Sequence, residues 1–169
     1  SRLDHYAEAY ASDFGKRIRL VTETPTTRSL VERMCKEYQP SCVIVDQIDK
    51  VQGFANDRHD LELSKIYGWA REIAKRYAPV IGVCQAGGTA EGKRWLTMND
   101  IDNSKTGKPA EADWILGIGK VPDEGMETYR FLHLSKNKLP GEGTTDPALR
   151  HGRWEVRLRA DIARYEDIA

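Results

Sequence analysis

The chain has no surplus of charge of either sign, little cysteine and no long apolar run, and each shortage removes a class of protein. Lysine plus arginine and aspartate plus glutamate both number 26 in 169 residues. That balance gives no sign of a generally basic, nucleic-acid-coating chain, so any such surface must be local. The three cysteines, Cys35, Cys42 and Cys84, are odd in number and far apart. They argue against a disulfide framework or a zinc site and fit a reducing compartment. No apolar run approaches the length of a membrane span, and no signal-peptide pattern opens the sequence, so no membrane partner is expected. What is present is ordinary for a soluble globular protein: 40% hydrophobic and 31% charged residues, enough for one domain over 1–169 with a substantial core. The sequence opens on Ser1 rather than methionine, and a fragment of a longer protein is expected.

Apolar periodicity divides the chain into alternating elements. Residues 3–13 are compatible with a helix and RIRLV (18–22) with a strand. Thr26 or Thr27 can cap a helix running to about Tyr38. CVIVD (42–46) and VIGVCQ (80–85) read as buried strands around the strongest helix, 61–78, whose Leu63, Ile66, Trp69, Ala70, Ile73 and Tyr77 recur at helical spacing. Residues 86–112 read as a long Gly- and charge-rich loop. DWILGIG (113–119), TYRFLHLS (128–135) and WEVRLR (154–159) read as strands, the last two alternating apolar and polar like half-exposed antiparallel ones. The pattern predicts an α/β domain with a largely parallel sheet.

In an open parallel sheet, ligands bind beyond the carboxyl ends of the strands. Three strand ends carry polar groups here: Asp46, Gln85, and the stretch from Ser135 to Lys138. A strand-end carboxylate can hold Mg²⁺, a carboxamide beside it can contact a phosphate, and lysines supply positive charge. Taken singly, Asp46 is equally a turn cap, Gln85 a loop residue, and the lysines solvated hairpin charges. Asp49 reads as a loop or cap residue rather than a second metal ligand. The four histidines show no ligand spacing.

In combination these stretches resemble a family. CVIVDQIDKV, a long amphipathic helix and PVIGVCQ are similar to the core of the RecA-fold helicases, in particular the DnaB-like replicative helicases and their phage primase-helicase relatives. EADWILGIGK, HLSKNKLPGEG and WEVRLRADIARYEDIA continue the resemblance, in order, over about residues 18–169. It implies a RecA-like P-loop NTPase fold: a mostly parallel sheet flanked by helices, with a C-terminal antiparallel hairpin. It makes Asp46 the Mg²⁺-organising acid and Gln85 the γ-phosphate sensor, both in cis. Lys136 and Lys138 become the basic pair that reaches a neighbouring subunit's nucleotide. Arginine is usual at the position of Lys138, and lysine cannot reproduce its planar fork. ATP and Mg²⁺ are the implied cofactors. The implied partners are single-stranded DNA, further copies in a hexameric ring, and a primase, in the cytoplasm of a bacterium or a phage-infected host. DNA contacts are expected from the loop after Asp46, with Lys50 and Arg58, and from residues 86–112, with Lys93, Arg94, Lys105 and Lys108. Without the resemblance, both segments read equally as solvated surface loops, because acids are interleaved in each.

One part is missing. A motor of this type needs G-x-x-x-x-G-K-[ST] to cradle the phosphates. Gly87 to Arg94 matches every position but the last, where Arg94 replaces Ser or Thr. It also follows the Asp46 strand instead of preceding it, and no helix pattern starts at Lys93. In the resembled family the phosphate-loop strand lies inside the sheet, between the Gln85 strand and DWILGIG. Its absence is expected to leave a gap there, or to force those two strands to pair. The leading reading is therefore the C-terminal portion of a helicase ATPase domain, inactive by itself. The alternatives are a RecA-like recombination or repair ATPase, a non-catalytic DNA-binding relic of such an ATPase, and a Mg²⁺-dependent phosphoryl-transfer domain built on Asp46 and Asp49.

Overall fold

The computed structural model describes residues 17–54, 58–102, 107–138 and 150–168. The helix expected over 3–13 lies outside them, as do Lys105 and the turn after Lys138. Helix α1 (Arg28–Tyr38) begins where a capping residue predicts: the Thr27 hydroxyl accepts the Leu30 N–H at 3.2 Å. Strand β1 (Val43–Val45) leads through a short 3₁₀ turn into helix α2 (His59–Arg76), followed by strand β2 (Val80–Gly82). Further along come a one-turn helix α3 (Gly107–Glu111), β3 (Trp114–Gly119), β4 (Tyr129–Asn137), β5 (Gly152–Arg159) and β6 (Arg164–Asp167).

Burial of the α2 stripe drives the main core. Leu63, Ile66, Trp69, Ala70 and Ile73 pack against Cys35, Val45, Ile48, Val51 and Phe54. Fully burying side chains of this kind contributes about 1.5–3 kcal/mol each, so the helix is held by its inward face rather than by propensity. A smaller apolar centre forms around Phe131, whose ring meets Trp95 edge-on at 5.3 Å.

The sheet is in two pieces. β1 and β2 are parallel, with Val43, Ile44 and Val45 opposite Val80, Ile81 and Gly82. β3 to β6 form a separate antiparallel meander in chain order. This corrects the expectation of a largely parallel sheet: only one strand pair of the described residues is parallel, because only β1 and β2 are joined by a helical crossover long enough for it. The RIRLV stretch joins no ladder among the described residues, and Ile18, Leu20 and Val21 are exposed. The two strands read as fully buried are covered on one side only. α2 buries Val45, while Ile44 on the opposite face is 68% exposed and Ile81 and Val83 are about half exposed. β2 and β3 belong to separate sheets and do not pair with each other, so the direct pairing expected as one outcome of a missing strand is not seen.

Candidate functional site: the open end of the parallel strand pair

The parallel register decides the first question. Val45 lies opposite Gly82 and the Val83 N–H donates to the Val45 carbonyl at 2.9 Å, so Asp46 and Gln85 leave the same end of the pair. Both are exposed there. The chain turns sharply after Asp46 because Gln47 adopts a left-handed conformation (φ 50°), which swings Ile48 back to donate its N–H to the Val83 carbonyl at 3.0 Å. Ile48 is buried against Gly82, where an added Cβ would sit 3.0 Å from its side chain. A turn in a sparsely populated backbone region, braced by a buried side chain, is how a fold fixes a functional strand end.

Asp49 is not a bystander. Its carboxylate accepts the Lys108 ammonium at 2.6 Å on one oxygen and the Tyr67 hydroxyl at 2.9 Å on the other. Burial, and then the neighbouring Cys84 and Asp49, push the Tyr67 hydroxyl far above its ordinary range, so it stays a donor. The side chain of Lys108 is 1% exposed, which overturns its expected place on a DNA-facing loop: its charge is consumed in the interior by Asp49. One polar cluster thus ties the turn after Asp46, the residue before Gln85, helix α2 and helix α3. Sequence reasoning missed Tyr67 and Lys108 here. Tyr67 was hidden among the apolar positions of a helix and Lys108 among loop charges.

The segment after Gln85 is ordered rather than loose. The Gly87 N–H donates to the Asp100 carbonyl at 2.8 Å and the Asp102 N–H to the Gln85 carbonyl at 3.4 Å, closing the loop at its base. Inside it, Asp100 is 2% exposed and accepts Lys93 Nζ at 2.6 Å, the Thr97 N–H at 2.8 Å and the Thr97 hydroxyl at 2.9 Å. Burial alone would raise this carboxyl, but Lys93 and Thr97 outweigh it and bring the pKa down to about 2. Lys93 therefore points at a carboxylate, and the residues after it are turn and 3₁₀ rather than a helix. The near-match to a P-loop is not one. Residues 93–96 lie across β3 so closely that a Cβ on Gly119 would come within 1.9 Å of the Arg94 carbonyl. Arg94 stacks over Phe131 at 5.2 Å and Arg153 over Trp95 at 5.5 Å. Arg58 is held by Asp60 at 2.7 Å and 3.1 Å, while Lys50 is exposed beside the Asp46 turn.

Lys136 and Lys138 are brought together with each other but not with Asp46 and Gln85. Lys136 Nζ donates to the Pro109 carbonyl and Lys138 Nζ to the Ala110 carbonyl at 3.3 Å. Arg71 adds a bond to the Glu111 carbonyl at 2.6 Å and a 3.2 Å ion pair to Asp113. Three cations thus serve the carbonyl end of α3, where the helix dipole is negative. Burial, and then the Lys138 charge, lower the Lys136 pKa.

A Mg²⁺ ion keeps several waters and takes one or two carboxylates plus phosphate oxygens. A single exposed carboxylate at an open strand end fits that habit, and no group of three or more His, Cys, Asp or Glu among the described residues forms a protein-only cage. Asp46 is thus the residue that would hold the ion.

No family model matches the chain, and no curated protein matches it in sequence. Solved structures do resemble it. The ATPase domain of G40P superposes with a TM-score of 0.66 at 14% identity, over 85% of this chain and 52% of that one. A DnaB-like replicative helicase, solved with attention to its interactions with primase, gives a TM-score of 0.73 at 12% identity, over 90% of this chain and 37% of the helicase. This chain spans about half of the first protein and little more than a third of the second. At such identities the likeness is one of backbone: the chain has part of the fold of the ATPase domains of DnaB-like replicative helicases.

Proposed function

We propose that this chain is the C-terminal portion of the ATPase domain of a DnaB-type replicative DNA helicase, an ATP-driven motor that moves along single-stranded DNA as a ring. The observation that supports it best is the parallel register that brings Asp46 and Gln85 out at the same end of the strand pair. In this reading Asp46 holds the Mg²⁺ of Mg²⁺·ATP and Gln85 donates its amide to the terminal phosphate. Mg²⁺ supplies charge that offsets the negative charge developing on the phosphoryl oxygens. Lys136 and Lys138 leave the α3 carbonyls to meet a nucleotide held by the neighbouring subunit, Lys138 as a point charge rather than a fork. Lys50, exposed beside the Asp46 turn, and the loop of residues 86–102 face the DNA.

The gap between β2 and β3 is the place for the phosphate-loop strand. Neither VIG nor WILGIG carries the charge or proline that natural edge strands use against unwanted pairing, so both have the composition of interior strands. This chain by itself is therefore expected not to hydrolyse ATP. Turnover by the purified 169 residues, abolished by Lys93→Ala, would overturn the proposal. In a polypeptide that also carries G-x-x-x-x-G-K-[ST], Asp46→Asn should lower kcat at least about a hundredfold.

A further inference from the structure

Helices α1 and α2 flank a groove of about 370 Å³. Its floor is apolar: Phe54, Trp69 and Ile73, the two rings 5.3 Å apart. Lys36 of α1 and Lys65 and Arg76 of α2 stand on its walls, all exposed. None of the three is within ion-pair distance of a carboxylate among the described residues, whereas the groove's two acids are both engaged. Glu32 accepts Arg28 Nε at 2.8 Å and Trp69 Nε1 at 2.9 Å, and Arg28 holds its carboxyl below the ordinary range. Glu72 accepts Lys75 at 2.8 Å. Lys36 and Arg76 still act on Glu32 and Glu72 through space, but the lining sets four cations, Arg28, Lys36, Lys65 and Arg76, against those two acids, and the balance around the apolar floor is positive.

We propose that this groove docks an acidic amphipathic helix of a protein partner. The volume holds two or three apolar side chains, as the anchors of a helix laid in a groove require, and α1 supplies a wall about 16 Å long. The rim charges match carboxylates flanking those anchors, which steers and orients a helix. A nucleic-acid backbone fits less well, because the floor of Phe54, Trp69 and Ile73 suits apolar side chains that a phosphate backbone does not bring. The proposal does not depend on the helicase reading.

The test is an NMR titration of the isotope-labelled chain with three probes. They are a helical peptide of about 15 residues with leucines on one face flanked by glutamates, the same peptide with lysines for the glutamates, and an oligothymidylate of similar length. The glutamate peptide is expected to shift the Trp69 indole and the backbone of Lys36 and Arg76. The double variant K65E/R76E, whose sites are exposed and whose fold is checked by thermal melting, should bind it at least about tenfold more weakly and should accept the lysine peptide instead. Absence of groove shifts, equal binding of both peptides, or displacement of the glutamate peptide by the oligothymidylate would each overturn the proposal.

Discussion

Asp100 shows what a single buried carboxylate does for a loop. It is an acceptor for Lys93, for Thr97 and, at 3.3 Å, for the Thr89 hydroxyl, so residues far apart in an otherwise patternless segment share one anchor. Its carboxyl titrates at about 2 when folded and near the ordinary aspartate value when unfolded. A depressed folded value means stability that is complete above the unfolded pKa and lost as pH falls through the folded one. Asp100→Asn is therefore expected to cost about 2 kcal/mol at neutral pH. The gap between variant and wild type in urea denaturation should close between about pH 4 and pH 2. A gap that stays constant over that window would mean the charge is not what anchors the loop. The Asp49–Lys108 pair makes a second prediction at this scale. Either Lys108→Met or Asp49→Asn should destabilise by about 2–3 kcal/mol, because each removes one side of a short ion pair whose ammonium is buried. The double variant should be less damaged than the sum, with a coupling of at least about 1 kcal/mol in a denaturation cycle.

At the scale of elements, residues 93–96 cross closely over β3. Gly117 and Gly119 permit it: a Cβ would lie 2.7 Å from the Leu96 side chain at the first and 1.9 Å from a backbone carbonyl at the second. Backbone cannot step aside as a side-chain tip can. Gly119→Ala should lower stability by about 3 kcal/mol and Gly117→Ala by less, readable as thermal midpoints. These glycines also show where the sequence was legible and where it was not. The elements that declared themselves carry local signals: Thr27 before α1, the 3.6-residue stripe of α2, the alternation along β4 and β5. The elements that did not are set by distant partners. α3 is a single turn held by Arg71, Lys136 and Lys138 from other elements, and β6 is four residues that exist as a strand because β5 pairs them. RIRLV has strand composition, yet no described neighbour offers it a ladder. Asp46 and Gln85 were legible because a polar residue ending an apolar run is a local pattern. The engagement of Lys93, Arg94 and Lys108 was not, because each partner lies on a segment the spacing could not bring near.

At the scale of the whole molecule, the two half-sheets and the exposed Ile44, Ile81 and Val83 describe a sheet face left open to a further strand or a neighbouring surface. The account rests on Asp46 and Gln85 sharing one phosphate-facing edge. Paramagnetic broadening by Mn²⁺·ATP tests this directly, since it registers even weak binding to the labelled chain. Amide signals of residues 46–48 and 84–86 should fade together, and Asp46→Asn should restore them. Broadening centred instead on residues 87–94, or indifferent to Asp46→Asn, would contradict the account.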